Sequence, residues 1–230
     1  MFLISNQETN ELPFIIRKEF QKALTKEGFV EDLLDEEEIE ITETNQNTGN
    51  NKITIQNLDN EIIKGIWKVN LEMEISGISS KNTSKTVECA LLVLTHQEGH
   101  SIYNLNIILI ELKTNLTDSK VEGIKTIPSR LQDCEEKFAA SMSRLYMLLS
   151  LNEHQNNSNY NSLTIKVNFI GLVSYKQDAM TKDDGTQLYQ ILHKMAKNNF
   201  LTCKTIMTDQ DKIKVCFCDR NTISLRELIN

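Results

Sequence analysis

The chain of 230 residues has no run of about 20 apolar residues, the length that crosses a bilayer, so no membrane span is expected. Its apolar start, Met1 to Ile4, is followed at once by polar residues. It therefore lacks the basic start and long apolar core of a signal peptide. These absences predict a cytoplasmic protein.

Cysteine and histidine are present, but not in the spacing of a disulfide framework or a metal site. Five cysteines without a CxxC pair are expected to be reduced and mostly buried. Cys216 and Cys218 are predicted to share one strand face as small core residues. His96 and His100 have the spacing of a zinc pair on a helix, but they flank a glycine in a predicted turn, so a place in the turn is favoured over zinc binding.

The chain also lacks a dense patch of lysine and arginine. Its formal net charge is −7. Residues 1–50 contain twelve acids and four bases, whereas residues 51–230 contain twenty acids and twenty-one bases. Since the acidic excess is confined to the first part, the rest does not repel an anionic ligand. Strong nonspecific duplex binding is not expected unless a partner or a dimer supplies positive charge.

What the sequence does contain is an apolar strand that ends in two charges. The run 105–110 is followed by Glu111, Leu112 and Lys113. Alternation along a strand places Glu111 and Lys113 on one face, and a strand that is apolar on both faces belongs in the middle of a covered sheet. Unpaired charges are costly there. The two charges are therefore either an ion pair at the rim of the sheet, or a metal-binding carboxylate beside a lysine that faces an anionic substrate.

The preceding segment brings a second carboxylate to the same place. Residues 86–94 also form a predicted buried strand, and the polar turn 95–100 joins it to the next strand as a hairpin. In this hairpin Glu88, near the start of one strand, lies roughly beside Glu111, near the end of its neighbour. Two carboxylates are then expected at one edge of the sheet.

An acid-x-lysine tripeptide carries little information by itself. Three occur, at 111–113, 118–120 and 135–137, which is about the number that composition predicts by chance. Only the first ends an apolar strand and follows a carboxylate-bearing strand through a hairpin. The context therefore singles out Glu111 and Lys113.

In residues 86–175 this arrangement resembles the PD-(D/E)xK nuclease superfamily. Glu111-Leu112-Lys113 matches the (D/E)xK element, and Glu88 stands where the family usually has aspartate, often after proline. The resemblance implies a metal-dependent nuclease with Glu88, Glu111 and Lys113 as catalytic residues. Mg²⁺ or Mn²⁺ would be held by Glu88, Glu111 and the backbone carbonyl of Leu112, with Glu19 as a further acid. It also implies a nucleic acid substrate, DNA in preference to RNA, and a homodimer or a protein partner.

The predicted fold is a mixed α/β, restriction-endonuclease-like central mixed β-sheet flanked by helices, with an extended N-terminal β-meander. One domain is expected, with an N-terminal helix and β-rich extension in 1–85, the nuclease core in 86–175, and a C-terminal helix and strands in 176–230. Apolar periodicity predicts helices and strands beyond the hairpin. The predicted helices cover 12–27, 129–151 and 185–198, and the predicted strands cover 39–41, 45–51, 53–55, 62–75, 163–173, 204–207 and 212–218.

Within the helix 129–151, Lys137 and Arg144 are seven residues apart and share a face. A solvated face is favoured, and contact with a phosphate backbone is the alternative.

Two other interpretations stay open. The chain is a non-catalytic scaffold or subunit that uses this sheet to bind a protein partner, with Glu111 and Lys113 as a structural ion pair. Alternatively it is an independent α/β domain that resembles nucleases by chance.

Overall fold

The computed structural model describes residues 28–43, 51–58, 61–73, 85–96, 102–150, 164–193 and 196–229. The predicted opening helix 12–27, with Glu19, lies outside these residues, as does nearly all of the predicted strand 45–51. No helix among the described residues is long and apolar enough to cross a membrane.

The described residues form strands and a few helices, so the fold is mixed α/β. The helices are α1 (Arg130–Ser150), α2 (Gln187–Leu192) and α3 (Leu225–Ile229). The strands are β1 (Val30–Asp32), β2 (Glu38–Thr42), β3 (Lys52–Gln56), β4 (Ile63–Val69), β5 (Cys89–Thr95), β6 (Ile102–Leu116), β7 (Lys120–Glu122), β8 (Lys125–Ile127), β9 (Thr164–Asp178), β10 (Phe200–Cys203), β11 (Asp211–Cys218) and β12 (Thr222–Ser224).

Seven strands form the main sheet, in the order β1-β4-β5-β6-β9-β11-β10. Strands β4, β5 and β6 are antiparallel neighbours, β9 is parallel to β6, and β11 is parallel to β9. Helix α1 lies between β6 and β9 in the chain, because parallel neighbours need a long crossover. The long strand β6 is thus at the centre, with apolar neighbours on both sides.

Both faces of this sheet are covered, as the two-sided apolar pattern of β6 predicts. Leu105, Ile107 and Leu109 belong to a core that includes buried side chains of α1 and α2. Ile108 and Ile110 belong to a second core, shared with α3 and with a three-stranded sheet of order β12-β3-β2. Glu111 and Lys113 follow the first set in alternation, so they lie on the α1 face.

Helix α1 confirms the predicted helix 129–151 to within a residue at its start, and Leu151 lies outside the described residues. The predicted apolar stripe is buried: Leu131, Cys134, Phe138, Met142, Leu145 and Leu149. The helix approaches the sheet closely at Gly171 of β9, where a Cβ atom would lie 2.8 Å from Phe138 Cζ. Glycine at this position therefore fixes the distance between α1 and the sheet.

The predicted N-terminal β-meander is divided between two sheets. Strands β2 and β3 pair with each other and with the C-terminal β12, whereas β4 joins the main sheet. The predicted strand 62–75 is also too long, because β4 ends at Val69. Beyond it the carbonyl of Leu71 accepts hydrogen bonds from Thr86 and Arg144, so it is satisfied by side chains instead of a strand partner.

Three predicted elements after α1 need correction. Helix α2 is shorter than the predicted 185–198, since it begins after the N-cap Thr186 and has its C-cap at His193. The strand predicted at 204–207 is found slightly earlier in the chain, as β10. Thr205 lies in a turn instead, where its hydroxyl donates to Asp211 Oδ2 (2.5 Å). Strand β9 extends beyond 163–173, and the predicted strand 212–218 is confirmed as β11.

Candidate active site

The hairpin of β5 and β6 places Glu88 and Glu111 side by side, as predicted. The last pair of the ladder is Cys89 with Ile110, and Glu88 and Glu111 are the next residues on each strand. Helix α1 supports this end of the hairpin, because the backbone N–H of Val87 donates to Ser141 Oγ (3.0 Å). The two carboxylates therefore reach the same side of the sheet, beneath α1.

Five charged side chains form a continuous cluster at this place, which we call the ionic cluster: Glu88, Glu111, Lys113, Asp133 and Lys137. The Oε1 atom of Glu111 lies 2.6 Å from Lys113 Nζ and 2.8 Å from Lys137 Nζ. Lys113 Nζ is also 2.8 Å from Asp133 Oδ2, and Lys137 Nζ is 3.8 Å from Glu88 Oε1. Strands β5 and β6 thus meet α1 through charges and not only through apolar contacts.

Glu111 is the most deeply buried member of the ionic cluster. Its side chain is 0% exposed, and that of Lys113 is 9% exposed. Both lysines contact the same oxygen, Oε1, whereas Oε2 is buried without a hydrogen-bond partner. A buried carboxylate oxygen without a partner is costly, so Oε2 is a position at which a ligand would gain an interaction.

Burial and neighbouring charges shift the protonation of the cluster. The pKa of Glu88 is raised to about 7, mainly by burial and then by the charge of Glu111, although Lys137 acts to lower it. Burial alone would lower the pKa of Lys113, but Glu111 and Asp133 hold it above its usual value, so the lysine stays charged. The hydrogen bond and charge of Lys113 outweigh burial at Asp133, whose pKa is lowered.

The raised pKa of Glu88 predicts a pH-dependent stability. The groups that act on it are Glu111 of β6, Lys137 of α1, and Glu72 and Glu43 from the connections beside β4 and β2. Between pH 4.5 and about 7 Glu88 holds a proton in the folded protein that it has released in the unfolded chain, so the contribution of Glu88 to stability falls as pH rises through this window and is constant above it.

We expect Glu88→Gln to remove this decline in the metal-free protein, so that the variant is the more stable at pH 8 by about 2 kcal/mol. Urea unfolding of both proteins from pH 4 to pH 8 measures the difference. Parallel profiles for the two proteins would contradict the prediction.

Two members of the ionic cluster, Asp133 and Lys137, were not predicted as site residues. The favoured interpretation of Lys137 and Arg144 as a solvated helix face is wrong. The Lys137 side chain is 16% exposed and turns to Glu111, and Arg144 donates to the carbonyls of Leu71 and Met73. The sequence does contain a signal for the position of Lys137. This lysine follows the buried Cys134 by three residues, so it lies beside the apolar stripe of α1.

The oxygen atoms present suit a hard cation, although they do not form a complete site. Among the described residues, no three His, Cys, Asp or Glu side chains are arranged to hold a metal ion. The ammonium of Lys137 nevertheless contacts both Glu88 and Glu111, so a cation fits between these carboxylates. Two carboxylates, a nearby backbone carbonyl and water are an oxygen donor set of the kind that Mg²⁺ accepts.

The cysteines do not form a second reactive centre. Cys89, Cys134, Cys203 and Cys218 are buried, Cys216 is half-buried and all five are free thiols, as predicted. Burial raises the pKa of Cys89 to about 12, so the thiol is not ionised at neutral pH. His96 stacks on Tyr103 with ring centroids 4.1 Å apart, and His100 lies outside the described residues.

Comparison with known proteins gave no match: no family model, no curated protein and no solved structure is similar to this chain at a significant level.

Proposed function

We propose that the protein is a metal-dependent nuclease that hydrolyses phosphodiester bonds at the ionic cluster. The observation that carries this proposal is the meeting of Glu88, Glu111 and Lys113 on one face at one end of the hairpin. Two acids and a lysine in this relation are the catalytic set of the PD-(D/E)xK nucleases, which the sequence resembles. The ion-pair distances bring the acid-x-lysine element and its opposing acid into a single cluster.

The order of the elements supports the same proposal. Three antiparallel strands, β4, β5 and β6, are followed by α1 and by β9, which is parallel to β6. A hairpin, then a helix, then a strand is the order of the restriction-endonuclease-like fold, and this order supports the proposal that the main sheet has that fold. The three-stranded sheet and α3 add a layer on the other face.

In the proposed site, Glu88, Glu111 and the backbone carbonyl of Leu112 would hold one Mg²⁺ or Mn²⁺ ion, with water completing the shell. When bound, such an ion would supply Lewis-acid polarisation of the phosphodiester and a lowered pKa of the attacking water. Oε2 of Glu111 has no hydrogen-bond partner, so Glu111 has an oxygen available to a ligand in addition to Oε1. Glu88 must be deprotonated to act as a ligand.

Lys113 supplies positive charge that does not depend on the ion. Its ammonium is held by Asp133 at 2.8 Å as well as by Glu111, so it keeps one anchor when Glu111 takes another partner. A fixed cation at this position orients the attacking water and stabilises the negative charge that develops on the phosphoryl oxygens. Asp133 is then a positioning residue, because it acts through Lys113.

The substrate class is proposed from the resemblance to the PD-(D/E)xK nucleases. We propose a nucleic acid, DNA in preference to RNA, and a cytoplasmic location. Since residues 51–230 are close to neutral, a homodimer or a protein partner would supply further contacts to the phosphates.

A non-catalytic scaffold is the second candidate, and the pairing within the ionic cluster favours it. Both lysines contact Glu111, and Lys113 also contacts Asp133, so the cluster joins α1 to the sheet without any ligand. Buried ion pairs of this kind often specify how elements pack. On this proposal divalent ions leave the thermal unfolding temperature unchanged.

A cleavage assay distinguishes the two candidates. Labelled single- and double-stranded DNA and RNA are incubated with the full chain and Mg²⁺ or Mn²⁺, with EDTA as the control. The nuclease proposal predicts metal-dependent cutting of at least one substrate, together with a metal-induced rise in the unfolding temperature. The absence of both results would favour the scaffold.

A further inference from the structure

We propose that Lys137 is an internal counter-ion that occupies the position between Glu88 and Glu111 and is displaced when a divalent ion binds there. This inference rests on the proposed function. It adds that the affinity of the site for metal is set by competition with a tethered ammonium from α1.

The position of the ammonium is the first support. Lys137 Nζ lies 2.8 Å from Glu111 Oε1 and 3.8 Å from Glu88 Oε1, so it contacts both of the carboxylates assigned to the ion. A Mg²⁺ ion bound by the same carboxylates would lie about 2.0–2.1 Å from their oxygens. An ion held between Glu88 and Glu111 and an ammonium that contacts both of them would lie close together, and two cations repel each other strongly in a buried place. The ammonium and the ion therefore exclude each other.

Lys113 and Lys137 differ in the ion pairs that would remain to them if Glu111 bound a metal ion. Lys113 has a second anchor, Asp133, at 2.8 Å. The ion pairs of Lys137 in the described part of the chain are both with the acids of the site, and its side chain is more exposed than that of Lys113, 16% against 9%. Lys137 is thus the lysine that can leave, while Lys113 stays in place for the reaction.

The charge balance agrees with this exchange. The ionic cluster contains three acids and two lysines, so it carries a net charge of −1 when all five groups are ionised. Without Lys137 that charge becomes −2, which one divalent ion neutralises. Exchange of the ammonium for the ion therefore changes the net charge of the cluster from −1 to zero, so the buried carboxylates are better compensated with the ion bound.

The test is calorimetric titration of the full chain with Mn²⁺. Lys137→Met keeps an unbranched side chain and removes the charge, so we expect it to tighten Mn²⁺ binding at least about tenfold. Lys137→Arg keeps the charge and should keep the affinity near that of the wild type. The matched control is Lys85→Met, which removes an exposed lysine that pairs with Glu136 of α1 at 2.9 Å, and it should change nothing.

Removal of the Lys137 charge leaves Glu111 with one lysine, so folding of each variant is checked by thermal unfolding without metal. Lys137→Gln is the second variant, because its amide can still donate to Glu111 Oε1 while carrying no charge. Tighter Mn²⁺ binding by a folded neutral variant supports the exchange, including the case in which the wild type itself binds no Mn²⁺.

Unchanged or weaker binding by both neutral variants overturns the inference. If the wild type still binds Mn²⁺ and Glu111→Gln loses that binding, only the exchange by Lys137 is wrong. If no protein in the series binds Mn²⁺ and the wild type does not cut nucleic acid, the proposed function is wrong as well.

Discussion

Replacement of Lys113 by methionine is expected to lower the rate of metal-dependent phosphodiester cleavage by about 10²–10³-fold, the usual cost of removing one fixed charge from a reaction centre. Lys113 is buried, charged and anchored by Glu111 and Asp133, so its replacement removes a fixed positive charge from the site. The measurement is the single-turnover cleavage rate with saturating Mn²⁺, on the substrate that the wild type cuts best.

Lys120→Met is the matched control for this experiment. Lys120 also ends an acid-x-lysine tripeptide, 118–120, but it lies exposed in the hairpin of β7 and β8. We expect its removal to leave the cleavage rate within about twofold of the wild type, as for most surface changes. Equal rates for Lys113→Met and the wild type would exclude Lys113 from the reaction.

Glu111→Ala is expected to lower the free energy of unfolding by about 3–5 kcal/mol, the range for removal of one partner from a buried ion pair. Glu111 is 0% exposed and contacts both lysines, so its loss leaves two ammonium groups with one carboxylate each. Urea unfolding without metal measures the change. This prediction does not depend on whether the protein is an enzyme or a scaffold.

The control is Glu40→Ala, which removes a carboxylate that pairs with Lys52 at 2.7 Å on the surface and should cost less than about 1 kcal/mol. The double variant Glu111→Ala, Lys137→Met should be more stable than the sum of the single changes predicts, by about 0.5–3 kcal/mol. Equal, small losses for Glu111→Ala and Glu40→Ala would mean that the ionic cluster does not stabilise the fold.

The sequence predicts the centre of the sheet because the relevant contacts are local. Strands β5 and β6 are consecutive and only a few residues apart in the chain, and their apolar patterns fix the register that brings Glu88 to Glu111. The apolar stripe of α1 is also a local feature. Apolar residues three and four positions apart define the buried face of a helix directly.

The sequence does not predict the pairings between distant segments. Strand β12 pairs with β3 from more than 160 residues away, and no local pattern indicates that choice. The hairpin of β7 and β8 is all exposed, so it lacks the alternation that marks a half-buried strand. Lysine is usually exposed, so the sequence favours a solvated Lys137. In the structure its ammonium is largely buried, because Glu88 and Glu111 both face it.

The most direct measurement is the cleavage of the nucleic acid panel by the wild type and Glu111→Gln, side by side, with Mn²⁺. The amide keeps the shape of the side chain but is a much poorer ligand for a hard cation. The nuclease account predicts cutting by the wild type and none by the folded variant. Equal cutting by both proteins, or cutting by neither, would contradict it.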